Sequence, residues 1–430
     1  MNAQRQEEIV VAVLRRIAAW AHRSTPPRVI AVTGSVGKST TKDLIASVLE
    51  TTYVVRRTRK NGNIAGVPAA LLGLPKLTCT IRDFRRRLPM IARAAMKPPR
   101  PDYFVLEIGT TKSGHIAAAL KMFTPSISVI TTFVPAHLEA LRSLEGVVRE
   151  KGQLVSALPS TGYAVLRYDD ERVRQLAGLH RGRSIFYGFD THADVWMERP
   201  RVSDKGLSTV LHDRDIVPLH FPMLRNTDHL YAVMAAWCVG RIAGVPSEKI
   251  RTAVEAFAPL SGRGDVVAGR RGEMIMDDSW NANPASVRSA LKAFQTVSGS
   301  RRRIAVLGDM LELGADSPRF HHDIGRAAAA YVDALYGIGM HARAYVEGFQ
   351  QARPGAPAAW YATVGEAIPT IQMTVQAGDA VLVKASHGVH LGRLVEALRE
   401  LATTEQPTVR KGPQKSLNGR VKLEHDTGGR

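Results

Sequence analysis

The 430-residue sequence contains only two cysteines, Cys79 and Cys238, which leaves no room for a disulfide framework or a cysteine-built zinc site. Both thiols are expected to be reduced. No apolar run approaches the ~20 residues that a membrane-spanning helix requires. The N-terminal stretch MNAQRQEEIVVAVLRRIAAW is preceded in its apolar part by Glu7 and Glu8, interrupted by Arg15 and Arg16, and followed by no signal-peptide cleavage pattern. These absences predict an amphipathic helix within residues 1–27 and a cytoplasmic protein. Acids are scarce as well: 39 Asp and Glu stand against 58 Lys and Arg, a formal net charge of +19. Such a surface attracts polyanions, whether nucleic acid, anionic lipid, phosphorylated metabolites or polycarboxylates. No motif interleaves aromatics with the positive charge, so nucleic acid is not an expected partner.

What is present is ordinary for a globular chain. With 45% hydrophobic and 23% charged residues, wholesale disorder and collagen are excluded, and the length suits two or three domains. The first clear strand is RVIAVTG, Arg28 to Gly34, followed by the helix-forming stretch TTKDLIASVLE. Similar apolar runs recur at YFVLEIG, SISVITTF and YAVLRYDD, with helical material between most of them. A second strand and helix series begins at GEMIMDDSW and continues through RRIAVLGDM, AYVDALYGIG and GDAVLVKAS. The expected fold class is therefore α/β: a central domain over 28–262 with a mostly parallel, doubly wound sheet, then a smaller Rossmann-like domain over 263–403. Residues 404–430 are polar, contain Gly and Pro, lack periodicity and are expected to form a disordered basic tail.

Charge is concentrated between Arg56 and Arg100, where twelve Lys and Arg accompany one acid, Asp83. Within this stretch Ile81, Phe84, Leu88 and Ile91 recur at helical spacing, and Pro89 should kink or end a helix. A solvated helix with one core-facing stripe accounts for the pattern; a docking surface for an acidic substrate, an acidic partner or a membrane also fits it.

The strongest chemical signal is TGSVGKSTT, directly after a strand and opening a helix. Backbone N–H groups of Gly34, Ser35, Val36, Gly37 and Thr40 can cradle phosphates, Lys38 can reach the β and γ phosphates, and the Ser39 hydroxyl can bind Mg²⁺. Val32 occupies the place of the first glycine in the usual spacing. A central P-loop ATPase domain follows from this loop in this context. Glu107 ends a strand, where an open α/β sheet presents its ligands. His137 follows the strand SISVITTF, and Lys151 lies one helix further on. Taken singly, these read equally as a helix cap, a surface histidine and a solvated charge; together with the loop they outline a site.

In order along the chain, TGSVGKSTT, NGNIAGVPAALL, VLEIGTTKSGHI, ITTFVPAHLEALRSLEGVVREKGQLV, MDDSWNANPASVRSAL, IAVLGDMLELGADSPRFHHDIG and GDAVLVKAS resemble the motifs of the Mur ligase family, in its MurF-like form, over residues 28–400. The resemblance implies an ATP-dependent carboxylate–amine ligase that works through an acyl phosphate and releases ADP and phosphate. Its substrates are then an acidic acceptor and an amine donor, as small molecules or peptides. It also implies Lys38, Glu107, His137 and Lys151 as catalytic residues, and two Mg²⁺ ions, one held by Ser39 and Glu107 and the other by His137 and Lys151. A protonated lysine cannot ligate a cation, and the family's matching lysine is carbamylated; a carbamylated Lys151 is implied here. Asn281 and Asn283 would meet the base or ribose of ATP, Asp309 the ribose, and Arg263 the phosphates on closure of the two domains. A simple turn before a helix is the alternative for Asn283.

Three departures qualify the resemblance. About 27 residues precede the phosphate loop where MurF-type ligases carry a domain that grips the UDP-sugar. KASH, Lys384 to His387, stands for the KGSR of MurF-type sequences, and LRNTDHLYA lacks a glycine and a His-Asn pair. The expectation is therefore an acceptor other than the standard UDP-muramoyl peptide, with the Arg56–Arg100 stretch as a substitute docking surface. A cell-wall ligase adding D-alanyl-D-alanine to UDP-N-acetylmuramoyl tripeptide, and a non-catalytic ATP-binding scaffold, are the alternatives.

Overall fold

The computed structural model describes residues 3–58, 66–75, 80–110, 112–134, 141, 143–203 and 205–399. A strand covered on both faces has no use for alternation, and the apolar runs of the sequence behave accordingly. Strand β1 (Val29–Thr33) is buried at all five positions, as is β3 (Tyr103–Glu107). Around them lie β2 (Val55–Arg57), β4 (Pro125–Ile130), β5 (Tyr163–Arg167) and β6 (Arg183–Gly188), all parallel.

The sheet then continues through β7 (Val195–Met197), β8 (Arg201–Ser203), β9 (Gly206–His212) and β10 (Ile216–Phe221). Strand β7 is parallel to β6, whereas β8, β9 and β10 join by antiparallel pairing. The order is β10-β9-β7-β6-β5-β4-β1-β3-β2, with β8 on β9. Because β1 lies between β3 and β4, connections leave it toward both edges and open a crevice at the carboxyl ends of these strands.

A second sheet has the order β11-β12-β16-β13-β14-β15, from β11 (Asp265–Ala268), β12 (Met274–Asp278), β13 (Arg303–Gly308), β14 (Ala334–Ile338), β15 (Ala358–Tyr361) and β16 (Ala380–Lys384). Only β11 is antiparallel. Both sheets carry helices on their two faces, so the fold is α/β, with a mostly parallel doubly wound sheet and a smaller Rossmann-like one.

Helices close the cores. Helix α1 (Ala3–Ala21) turns Val10, Val11, Leu14 and Ala18 inward, at the spacing of one helical face. They join one apolar layer of the first sheet together with α3 (Gly66–Leu72) and part of the helix Leu88–Met96. The opposite layer is built on α2 (Lys38–Glu50) and the helix His229–Ile242, whose Leu230, Val233, Trp237 and Cys238 are buried. In the basic stretch the chain forms two helices, α4 (Ile81–Arg86) and α5 (Leu88–Met96), with Pro89 in the first turn of the second. Proline is tolerated there because that N–H has no intrahelical partner. Ile81, Phe84 and Ile91 pack on the core, but Leu88 is exposed. His137, Cys79 and the tail after residue 399 lie outside the described residues.

Candidate active site

The loop between β1 and α2 owes its shape to two glycines. Gly34 has φ 144°, and a Cβ placed there would lie 1.9 Å from Thr131 Oγ1. Gly37 caps α2 with φ 82°, a left-handed conformation that costs glycine little. The loop is pinned to the end of β4: Thr131 Oγ1 donates to the Val36 carbonyl at 2.6 Å, and the Ser35 N–H donates to the Thr132 carbonyl at 2.7 Å. A hydroxyl just after an apolar strand gives no signal in a sequence, and Thr131 is a site residue that sequence reasoning did not find. Gly34→Ala is expected to cost about 1–3 kcal/mol through backbone strain alone, before relief of the Thr131 clash. Thermal unfolding checks the stability loss, and ATP titration should show weakened binding.

At the start of α2, Ser39 Oγ donates to Glu107 Oε2 at 2.7 Å. Glu107 is buried at the end of β3, and its own N–H donates to Thr58 Oγ1 at 3.1 Å. Lys38 Nζ donates to the Ser35 carbonyl at 3.2 Å; burial and the Arg263 charge depress its pKa, while Glu107 opposes them. Beneath the loop, Lys151 is 1% exposed. Its ammonium donates to the Gly34 carbonyl. Burial first, and then repulsion from Lys38, hold Lys151 well below the usual lysine pKa. The helix that carries it, Leu144–Ser156, is capped by Ser143, whose Oγ accepts from the Gly146 N–H at 3.2 Å. Beside Lys151, Glu150 accepts from the N–H groups of Gly114 and Ile116 at 3.0 and 2.9 Å.

Ser39 and Glu107 form a pair of oxygen donors at a helix N-terminus. Mg²⁺ is typically held by one or two protein oxygens, with phosphates and water completing its octahedron, so this pair fits a Mg²⁺ that travels with a nucleotide. Among the described residues no group of three or more His, Cys, Asp or Glu is placed to hold a metal by itself.

The second sheet supplies the opposite wall. Arg263 precedes β11, and its Nη2 lies 3.1 Å from Ser39 Oγ; its guanidinium carbon lies 5.4 Å from the Trp280 ring centre. Lys384 ends β16 and is buried; it donates to Asp278 Oδ2 at 2.6 Å and to the Asn281 carbonyl at 2.8 Å. It thereby ties the ends of β12 and β16 together. The Trp280 and His387 rings lie 4.3 Å apart.

The two walls enclose a cleft of about 750 Å³. Ser35, Val36, Gly37, Lys38, Ser39, Thr40, Glu107, Arg263, Asn281 and Asn283 all line it. Asn283 is also committed to structure: its Oδ1 accepts from the Ser286 N–H at 2.9 Å, forming the N-cap of Pro284–Ser298. Asp309 stands apart from this lining and accepts from the His341 N–H at 3.0 Å. The described basic residues between Arg56 and Arg100 do not line the cleft either. Residues that sequence reasoning missed do line it: Arg167, Tyr187, Asn226, His229 and Tyr231 form a further lobe. The Arg167 guanidinium lies over the Tyr231 ring at 3.2 Å. Burial lowers the His229 pKa, and its Nδ1 has no hydrogen-bond partner among the described residues. This lobe includes the segment where LRNTDHLYA departs from the family pattern.

Comparison with known proteins fits this geometry. Residues 32–240 match the Mur ligase middle domain, and residues 262–387 match the Mur ligase glutamate ligase domain. The UDP-N-acetylmuramoyl-tripeptide–D-alanyl-D-alanine ligase of Mycobacterium leprae is 31% identical over 414 residues, covering 86% of this chain and 73% of that protein. The chain belongs to the Mur ligase family. It is, with that family, an ATP-dependent ligase. Among solved structures, MurF from Acinetobacter baumannii superposes with a TM-score of 0.76 at 24% identity, covering 90% of this Mur ligase and 80% of the other chain. MurF from Thermotoga maritima in complex with ADP gives 0.75 at 22% identity, covering 90% and 83%. Among the described residues no helix is long and apolar enough to cross a membrane.

Proposed function

We propose that this Mur ligase activates an acceptor carboxylate with ATP and joins it to an amine through an acyl phosphate. A carboxylate oxygen attacks the γ-phosphorus and the bond to ADP breaks. The amine nitrogen then attacks the activated carbonyl, the carbon–oxygen bond to phosphate breaks, and the nitrogen gives up its proton as the amide forms. The difficulty is that two anions must meet, so catalysis here is alignment and charge neutralisation rather than covalent chemistry by the protein.

The observation that carries this reading is the convergence of Lys38, Ser39, Glu107 and Arg263 at one end of the phosphate loop. Of the loop amides, that of Ser35 is committed to the Thr132 carbonyl, which leaves those of its neighbours to bind the phosphates; Lys38 neutralises the β and γ oxygens, and Arg263 brings a second positive charge from the opposite wall. Mg²⁺ held through Ser39 and Glu107 would add further charge neutralisation. His137 and a carbamylated Lys151 complete the proposal as the holders of a second Mg²⁺. Lys151 meets the requirement for that modification, because only a neutral amine attacks CO₂ and its surroundings favour the neutral form. That reaction forms an N–C bond and releases one proton.

The acceptor is proposed to enter past α1, whose Glu7, Glu8, Val11 and Arg15 edge the cleft beside Lys112 and His115. Glu7 and Glu8 are offset there by Arg15 and Lys112, whose Nζ lies 3.6 Å from Glu8, so this edge suits a charged acceptor; the departure at Leu224–Ala232, whose Asn226, His229 and Tyr231 line the cleft, supports an acceptor not carried on UDP. The second reading, ligation of D-alanyl-D-alanine to UDP-N-acetylmuramoyl tripeptide, is favoured by the name of the Mycobacterium leprae relative. ADP release measured with acid and amine pairs separates the two. Turnover with the UDP-linked tripeptide and D-alanyl-D-alanine at a rate matching the best other pair would reject the first acceptor. ADP release that needs no amine would reject ligation.

A further inference from the structure

We propose that the face formed by α1 and α5 is a docking surface for an anionic lipid membrane. Between these helices runs an apolar groove of about 540 Å³, edged by Ile17, Trp20, Leu88, Ile91, Ala95 and Met96. Its rim is unusually open for such side chains: Trp20 is 50% exposed, Leu88 45% and Met96 74%. Apolar groups of this size in water favour a partner that removes them from it.

The charge around the groove selects the partner. Residues 81–100 carry seven Lys and Arg against Asp83 alone, and Asp83 is already bonded to Arg86 and Arg87. Arg85, Arg93, Lys97 and Arg100 are exposed, as are Arg16 and Arg23 on the α1 side. The Arg23 guanidinium carbon lies 4.3 Å from the Trp20 ring centre. An indole with a guanidinium beside it suits the headgroup level of a bilayer, where the ring meets acyl carbon and the cation meets phosphate. Membrane anchoring by a soluble protein generally takes two signals, and this face offers both an apolar insert and a polybasic rim. Arg16 lines the groove and Arg23 lies over Trp20, so basic and apolar groups share this face, a layering that an anionic bilayer presents everywhere.

The test is flotation of the full-length protein with vesicles of phosphatidylcholine alone or with about a third phosphatidylglycerol. Binding is expected only to the anionic vesicles. It should weaken as salt approaches about 1 M, where the screening length is about 3 Å. Joint replacement Arg85→Glu, Arg86→Glu and Arg93→Glu should weaken it at least about tenfold. Trp20→Ser should weaken it separately and abolish quenching by brominated lipid acyl chains. None of these residues lines the cleft, so ATP turnover and the circular dichroism spectrum should stay unchanged, which distinguishes lost docking from misfolding. Equal binding to neutral vesicles, or binding indifferent to Trp20→Ser, would overturn the proposal. So would an absence of flotation; self-association abolished by Trp20→Ser would then assign the face to a second copy of the chain, and capture of an acidic peptide to a protein partner.

Discussion

Lys38→Met is expected to lower ATP turnover about 10²–10³-fold, the scale of losing one preorganised donor to a developing anion, with little change in unfolding temperature. Among the described residues Lys38 donates only to the Ser35 carbonyl of its own loop, so its removal breaks no tie to another element. What it removes is the charge beside the β and γ phosphates. Gly34 contrasts with this: there the backbone itself is at stake, and stability and binding should fall together. For Lys38 they should separate. A Lys38→Met protein with near-normal turnover would mean that the phosphates are neutralised elsewhere.

The second large effect concerns Lys151. As a free ammonium it is poorly placed, buried under the loop with another cation nearby. Because its folded pKa is lowered, the unfolded chain holds the proton more tightly. Between that lowered pKa and about 10.4, the unfolded state therefore binds more protons, and this residue's contribution to stability rises with pH. As a carbamate it would carry negative charge toward a cation. Lys151→Ala should abolish turnover to the same 10²–10³-fold extent, and a short carboxylate such as acetate should restore part of it. ¹³C-labelled CO₂ should give a carbamate signal in the parent protein that Lys151→Ala lacks. Full activity in Lys151→Ala, or no carbamate signal in turning-over enzyme, would dismiss the modification.

The phosphate loop was legible because its chemistry requires contiguous residues: a strand, two glycines, a lysine and a hydroxyl at fixed spacing. Glu107 was legible for a related reason, since an acid that ends a fully apolar strand must face the crevice. The lobe formed by Arg167, Asn226, His229 and Tyr231 was not. Those residues come from β5, from the start of the helix His229–Ile242 and from the segment just before it, which only the strand order brings together. The antiparallel strands β8 to β10 were equally hidden, because β8 spans three residues and β9 and β10 mix polar with apolar residues instead of forming an apolar run. Asp309 follows β13, a position that suggests a ligand; its carboxylate accepts from the His341 N–H and lies outside the cleft lining. Asn283 serves the helix cap and the cleft at once, and a sequence alone cannot apportion one side chain between two such roles.

The central claim is that the acid itself is phosphorylated, and oxygen tracing tests it most directly. The acceptor, whether UDP-linked tripeptide or the best acid found by ADP release, is labelled with ¹⁸O in its reacting carboxylate and incubated with ATP and amine. One labelled oxygen should appear in each phosphate formed, since the carbon–oxygen bond that breaks began in the carboxylate. Amide formed together with unlabelled phosphate would contradict the account.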